Sequence, residues 1–367
     1  MTNDELELLC IGNALVDVFV QEEAGMDVNF GLNKTIQHIP MEKMREILST
    51  LPDFIASSGG GAANVAKITG LLGIKTSFIG SVGSKIRRDR ASKIESPAEN
   101  DSIDQFGQLF EKELKDAGVH LKLIRKSSPT GICLVLKMND GKVKIAASPS
   151  AALELSEEDL VSENLGEELI RRAKVVVLDG FMLDRRALVQ RILALADKHG
   201  TVAALDLSTI GFAAERAFEI VTYARVYPLI IFMNEDEAWA FYQAISGKRE
   251  DKNAAERSGP LSPELINLFK NFTSNDIFPI LTVKLGVRGA IVFAGGSVFR
   301  EETTPVIPLE TTGAGDAFCA AFLGAWIREL SLSECAVLGN KAARVILNVN
   351  GTKVDPRTLK NLRKYLN

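Results

Sequence analysis

The sequence predicts an α/β fold: a doubly wound, mostly parallel sheet sandwiched by helices, with a small β-flap beside it. Short apolar runs at residues 8–12, 76–80, 175–178, 202–206, 229–233, 279–284 and 290–293 alternate with helix-like stretches at 62–72, 104–117, 184–199 and 314–330. Alternation of this kind produces parallel strands joined by crossover helices. A second pattern interrupts it. Residues 16–21, 132–138 and 142–147 read as extra strands, the last two joined by Asn139-Asp140-Gly141, a hairpin signal. They read as a flap formed by about 14–40 and 121–148; edge strands of the main sheet are the other reading.

In chain order, the first apolar run leads into Gly12-Asn13-Ala14-Leu15-Val16-Asp17, which places an acid soon after a strand end. The run Ser58-Gly59-Gly60-Gly61-Ala62-Ala63-Asn64 then opens a helix. Consecutive glycines let the backbone come close to a ligand, and Asn64 carries both donors and an acceptor. Residues 84–103 run basic then acidic with few apolar positions, as do residues 246–262. Such stretches bury too little apolar area to offset ordering entropy, so both read as polar surface insertions in one domain spanning 1–367. Further on, Asn234-Glu235-Asp236-Glu237 starts a helix directly after a strand. Val283-Lys284-Leu285-Gly286-Val287-Arg288-Gly289 forms a turn between two strands.

The strongest motif is Thr311-Thr312-Gly313-Ala314-Gly315-Asp316, between a strand-like run and a helix rich in small residues. The free N–H groups of Gly313, Ala314 and Gly315 make a ready anion site at that helix start. Asp316 sits in the first turn. Either it caps the helix and favours its dipole, or it accepts a proton while the amides stabilise a transferring phosphoryl group. The residues alone leave both readings open.

Composition narrows the choice. Among 367 residues, 46% are hydrophobic and 25% charged, with a formal net charge of -4. No basic excess is present to neutralise a nucleic-acid backbone. The four cysteines include no C-x-x-C pair and the three histidines are scattered, which argues against a disulfide frame or a zinc site. Acidic residues precede the first apolar run, the reverse of a secretory leader, and no apolar run reaches membrane-spanning length. A cytoplasmic protein without a membrane partner is expected. Gly70-Leu71-Leu72-Gly73-Ile74-Lys75-Thr76 lacks Walker A spacing, and no G-x-G-x-x-G follows the first strand, which counts against a dinucleotide oxidoreductase.

Taken in order, these motifs resemble those of the PfkB (ribokinase-like) carbohydrate and nucleoside kinases, and the resemblance spans nearly the whole chain. It implies a ribokinase-like fold with a β-sheet lid, ATP and Mg²⁺ as cofactors, and a small-molecule acceptor. By resemblance Asp316 is the catalytic base and Gly313, Ala314 and Gly315 the anion hole. Asp17, Gly59, Gly60 and Asn64 bind the acceptor, and Asn234 and Glu237 are metal-associated. Lys284, Gly286, Gly289 and Asn340 lie near the nucleotide; an ordinary turn and a helix-surface Asn are the alternatives. Residues 30–40 are similar to the lid of adenosine kinases, so Gln37 would face a nucleobase edge and Phe181 would supply an aromatic face. A nucleoside acceptor is expected, with a sugar as the alternative; the molecule is read as a monomer or homodimer. Two departures stand out. Glu310 replaces the usual Asp, and the 84–103 insertion splits a Gly-x-Asp-x-x-Gly motif between Gly83 and Asp104. Both leave room for a catalytically silent member of the fold.

Overall fold

The computed structural model describes residues 6–21, 30–32, 36–51, 53–88, 95–97, 103–138, 143–161, 165–248, 261–309, 311–348 and 356–366. Glu310, the 139–142 hairpin tip and most of the 246–262 stretch lie outside these residues.

The main sheet has nine strands. From one edge they run Ser297–Glu301, Ala290–Ala294, Leu281–Lys284, Leu229–Asn234, Val202–Asp206, Val175–Asp179, Leu8–Ile11, Thr76–Gly83 and His120–Lys126. All neighbours are parallel except the meander at the first edge, where Ala290–Ala294 lies antiparallel to both of its partners. Residues along the central strands are buried on both faces, so they read as continuous apolar runs. The period of two then divides them. Leu8, Cys10, Val175, Val177, Ile230 and Phe232 join one core. Leu9, Ile11, Val176, Leu178, Ile231 and Met233 join the other.

Strand order reverses around Leu8–Ile11. The chain moves first towards Thr76–Gly83 and then back to Val175–Asp179 on the other side. Ligand crevices in open parallel sheets form at such a reversal, outside the carboxyl ends of the strands. Four strands end there in a polar residue: Asp179, Asp206, Asn234 and Lys284. Asp179 is in register with Asp206, and Asn234 with Lys284.

The second sheet has five strands, ordered Ile36–His38, Val143–Ser148, Gly131–Lys137, Leu15–Gln21 and Ile55–Gly59. Its composition corrects the sequence reading in two places. His120–Lys126 pairs in parallel with Thr76–Gly83, so the start of the 121–148 stretch belongs to the main sheet and not to the flap. Ile55–Gly59, outside the expected flap boundaries, pairs antiparallel with Leu15–Gln21. Its small, polar sequence carries no alternating apolar signal.

Within the 84–103 insertion, Ile86–Arg88 pairs antiparallel with Glu95–Pro97, and Ser84 bridges Ile103 at its base. The Asp104 N–H donates to Gly83 O at 2.9 Å, so the two halves of the split motif meet. The Asp104 carboxylate accepts from Gly107 N at 2.8 Å, Thr130 N at 2.7 Å and Thr130 Oγ1 at 2.6 Å. One acid thereby caps the helix Gln105–Asp116 and anchors the entry to the flap strand Gly131–Lys137.

Candidate active site

The helix Ala314–Ile327 begins with Gly313 in the left-handed region, φ 79°, and has no side-chain cap. Only glycine takes that conformation readily, and it leaves first-turn N–H groups to serve a ligand. Ala314 N–H leans on Thr311 O at 3.4 Å. Asp316 follows in the first turn and accepts from Asn64 Nδ2 at 2.8 Å. Asn64 belongs to the helix Gly61–Leu71, so two helix starts meet at the carboxylate. Burial, reinforced by Asp206, pushes the Asp316 carboxyl up to about 7, against the lowering effects of Asn64 and Lys284. A buried acid with a pKa near neutrality is suited to exchange a proton.

Asp316 lies on a cavity of about 600 Å³, together with Ala314, Gly315, Asn234, Glu237 and Lys284. The same cavity reaches Gly286, Gly289, Phe181 and Asn340. Asn340 is buried, with Nδ2 donating to Glu301 O at 3.0 Å, and is not the helix-surface residue of the alternative reading. Phe181 is 38% exposed and meets Phe212 edge-on at 5.4 Å between ring centroids.

Asn234 and Glu237 form a reciprocal capping box. Glu237 N donates to Asn234 Oδ1 at 2.9 Å, and Asn234 N donates to Glu237 Oε2 at 2.8 Å. The sequence pattern therefore has a structural role as well as a place on the cavity. Glu237 is buried; desolvation and then Asp206 hold its carboxyl well above the usual carboxylate range. Among the described residues no cluster of three or more acidic, cysteine or histidine side chains forms a metal cage. A buried carboxylate whose charge is disfavoured by desolvation and by Asp206, with Asn234 beside it, would fit a Mg²⁺ ion, which takes few protein ligands and keeps several waters.

Lys284 Nζ donates to Asp206 Oδ2 at 2.6 Å. Burial works against its charge, yet Asp206, then Cys319 and Glu237, hold its pKa above the ordinary lysine value. The Cys319 thiol donates to the same Asp206 oxygen at 2.9 Å.

The acceptor-side candidates Asp17, Gly59, Gly60 and Asn64 are not among the residues that line this cavity, though Gly61, next to Gly60, is. Asp17 is buried on the flap strand Leu15–Gln21. Gly59 lies so close that a methyl group there would overlap the Asp17 carboxyl group. Gly60, φ 100°, passes tightly over Asn13 O. Asn64 Oδ1 is buried and has no partner among the described residues. Gln37 lies on the edge strand Ile36–His38, with Nε2 donating to Gly31 O at 3.2 Å.

Sequence reasoning missed Asp179, Asp206 and Cys319. Asp179 is buried, accepts from Ala62 N at 3.1 Å and leaves Oδ1 without a partner among the described residues. The available signal was a single acid closing an apolar run in two successive strands.

Known proteins resemble this chain over most of its length. A model of the pfkB family of carbohydrate kinases matches residues 103–359. Adenosine kinase 2 of Arabidopsis thaliana is 26% identical over 362 residues, covering 94% of each chain. A 5-dehydro-2-deoxygluconokinase of Geobacillus kaustophilus is 24% identical, covering 91% of this chain and 90% of its own. The crystal structure of adenosine kinase from Sinorhizobium meliloti superposes with a TM-score of 0.78 at 23% identity, over 98% of this chain and 99% of that one. With the family model spanning most of the sequence, and both helix starts meeting at one carboxylate, the chain belongs to the pfkB family of carbohydrate kinases.

Proposed function

We propose that the protein transfers the γ-phosphate of ATP to the hydroxymethyl group of a nucleoside of the adenosine type. A sugar is the second acceptor class, favoured by the gluconokinase relative. The observation that carries the reading is Asp316, in the first turn of a helix whose uncapped start opens on a 600 Å³ cavity. Phe181 on the cavity wall supports a planar base, because an aromatic face stacks on any base.

In this mechanism Asp17, the Gly59–Gly60 backbone and Asn64 hold acceptor hydroxyls. The five-stranded sheet acts as a lid that excludes water. The phosphate chain of ATP lies along Lys284, Gly286 and Gly289, with Asn340 near the base. The γ-phosphoryl group rests over Gly313–Gly315. Asp316 takes the hydroxyl proton as the acceptor oxygen–phosphorus bond forms, while the bond from phosphorus to the β,γ-bridging oxygen breaks and ADP leaves. Asn234 and Glu237 would hold Mg²⁺ through water, and when bound it neutralises phosphate charge. A panel of nucleosides and sugars assayed for ATP-dependent phosphorylation, with Asp316→Asn as control, tests the proposal. Turnover of a nucleoside well above any sugar is the expected result. Absence of turnover across the panel, or undiminished turnover by Asp316→Asn, would overturn it.

A further inference from the structure

We infer that Lys284 forms a cationic floor beneath the anion site at Gly313–Gly315, and that Asp206 is the positioning residue that holds it there. This rests on the proposed role of those amides and adds two side chains to it.

The placement follows from three contacts. The Lys284 ammonium lies 3.2 Å from where a Cβ on Gly315 would stand, so it touches the first turn of the helix that carries Asp316. The ammonium donates a hydrogen bond to Asp206 Oδ2 at 2.6 Å. Cys319 Sγ, one turn along the same helix, lies 3.9 Å from the ammonium. An ammonium has three donors in all. With one committed to Asp206 and one leaning on sulfur, a third is left for an anion over Gly315.

Asp206 is itself fixed. The Cys319 thiol donates to its Oδ2 at 2.9 Å, and Ser208 N–H reaches its Oδ1 at 3.4 Å. The acid and the lysine end parallel strands that have one strand between them, so the pair spans the carboxyl edge of the sheet. Both residues line the cavity. A buried ion pair adds little net stability over apolar packing, because desolvation offsets attraction. A structural role is therefore a weak reason for this pair. A fixed cation aimed where phosphoryl charge develops acts instead on the transition state, and needs no reorganisation when the reaction occurs.

The test is a double-mutant cycle in the full-length protein, using MgATP and the best acceptor from the panel. Lys284→Met should lower kcat by about 10²–10³-fold, the scale of losing one such donor, with KM for ATP changed less than about threefold. Asp206→Asn should lower kcat in the same sense, and Asp206→Glu should restore part of it. Measured at pH 9, where Asp316 is ionised with or without Asp206 beside it, the double variant Asp206→Asn/Lys284→Met should match Lys284→Met alone, since Asp206 then acts through the lysine. The double variant buries no unpaired charge, so the cycle stays readable even where Asp206→Asn folds poorly. A kcat for Lys284→Met within threefold of wild type, a loss confined to KM for ATP, or a double variant far slower than Lys284→Met would each overturn the inference. A wild-type protein inactive towards every acceptor would instead remove the kinase reading beneath it.

Discussion

Asn64 donates its side-chain amide to the Asp316 carboxylate at 2.8 Å across 252 positions of sequence. The contact joins the start of one helix, reached from the flap strand Ile55–Gly59, to the start of another that faces the cavity. The asparagine orients the acid and lowers its pKa, while burial and Asp206 raise it. The carboxylate is therefore placed by one neighbour and tuned by several.

Replacing the acid by its amide keeps shape and removes basicity. Asp316→Asn is expected to lower kcat by about 10²–10⁴-fold, the range for loss of a general base. Affinity for ATP, measured by calorimetry, should change only a few-fold. Near-normal turnover would show that the proton goes elsewhere.

The raised pKa makes a pH prediction. A base must be ionised to accept a proton, so kcat/KM should rise through about pH 7 and level off above it. Asn64→Ala removes a hydrogen bond that lowers the pKa, and should move the bend to higher pH. A flat profile between pH 6 and 8 would exclude Asp316 as the titrating group.

Stability responds with the opposite sense. The folded-state pKa lies above the ordinary value of 3.8, so between that value and about 7 the native protein holds a proton the unfolded chain has released. This group's contribution to stability therefore falls as pH rises through that window. Asp316→Asn, neutral throughout, should raise the Tm of the ligand-free protein at pH 8 by about 1–2 °C, equivalent to roughly 1 kcal/mol for a chain of this length. A lower Tm would contradict the shift.

Gly59 is held against Asp17 with no room for a methyl group. Gly59→Ala should displace the Asp17 carboxylate and raise KM for the acceptor by at least about tenfold, corresponding to loss of one charge-assisted hydrogen bond. KM for ATP, read in the same assays, should remain near wild type. Equal effects on both would place the disturbance outside the acceptor subsite.

The insertion and its anchor should separate cleanly. The chain leaves at Gly83 and returns at Asp104, which are hydrogen-bonded to each other. Excising residues 85–102 with a short glycine link should leave the fold intact, because closure of a shorter loop carries little entropic penalty. Asp104→Ala loses a helix cap and two bonds to Thr130, and should cost about 2–3 kcal/mol in denaturant unfolding. Unchanged kinetics and association state in the excised protein would also remove any role for the insertion in access or assembly.

The central strands were legible because burial on both faces leaves unbroken runs such as Val175–Asp179 and Leu229–Asn234. Edge strands were not. His120–Lys126 and Ser297–Glu301 carry charges along their exposed sides and break any apolar run. The helix Leu332–Ile346 had a readable start, the Ser331–Glu334 capping box, that the strand–helix pattern passed over. At the site, the glycine-rich motifs were visible because their spacing is local. Asp179 and Asp206 were not, since each gains meaning only when parallel strands bring their last residues side by side.

The empty space on Gly315 belongs in effect to Lys284. Alanine there would press on the ammonium by a few tenths of an ångström, and anything bulkier would evict it. Substitutions at these two positions are therefore epistatic: a larger residue at 315 becomes tolerable only after the side chain at 284 is shortened.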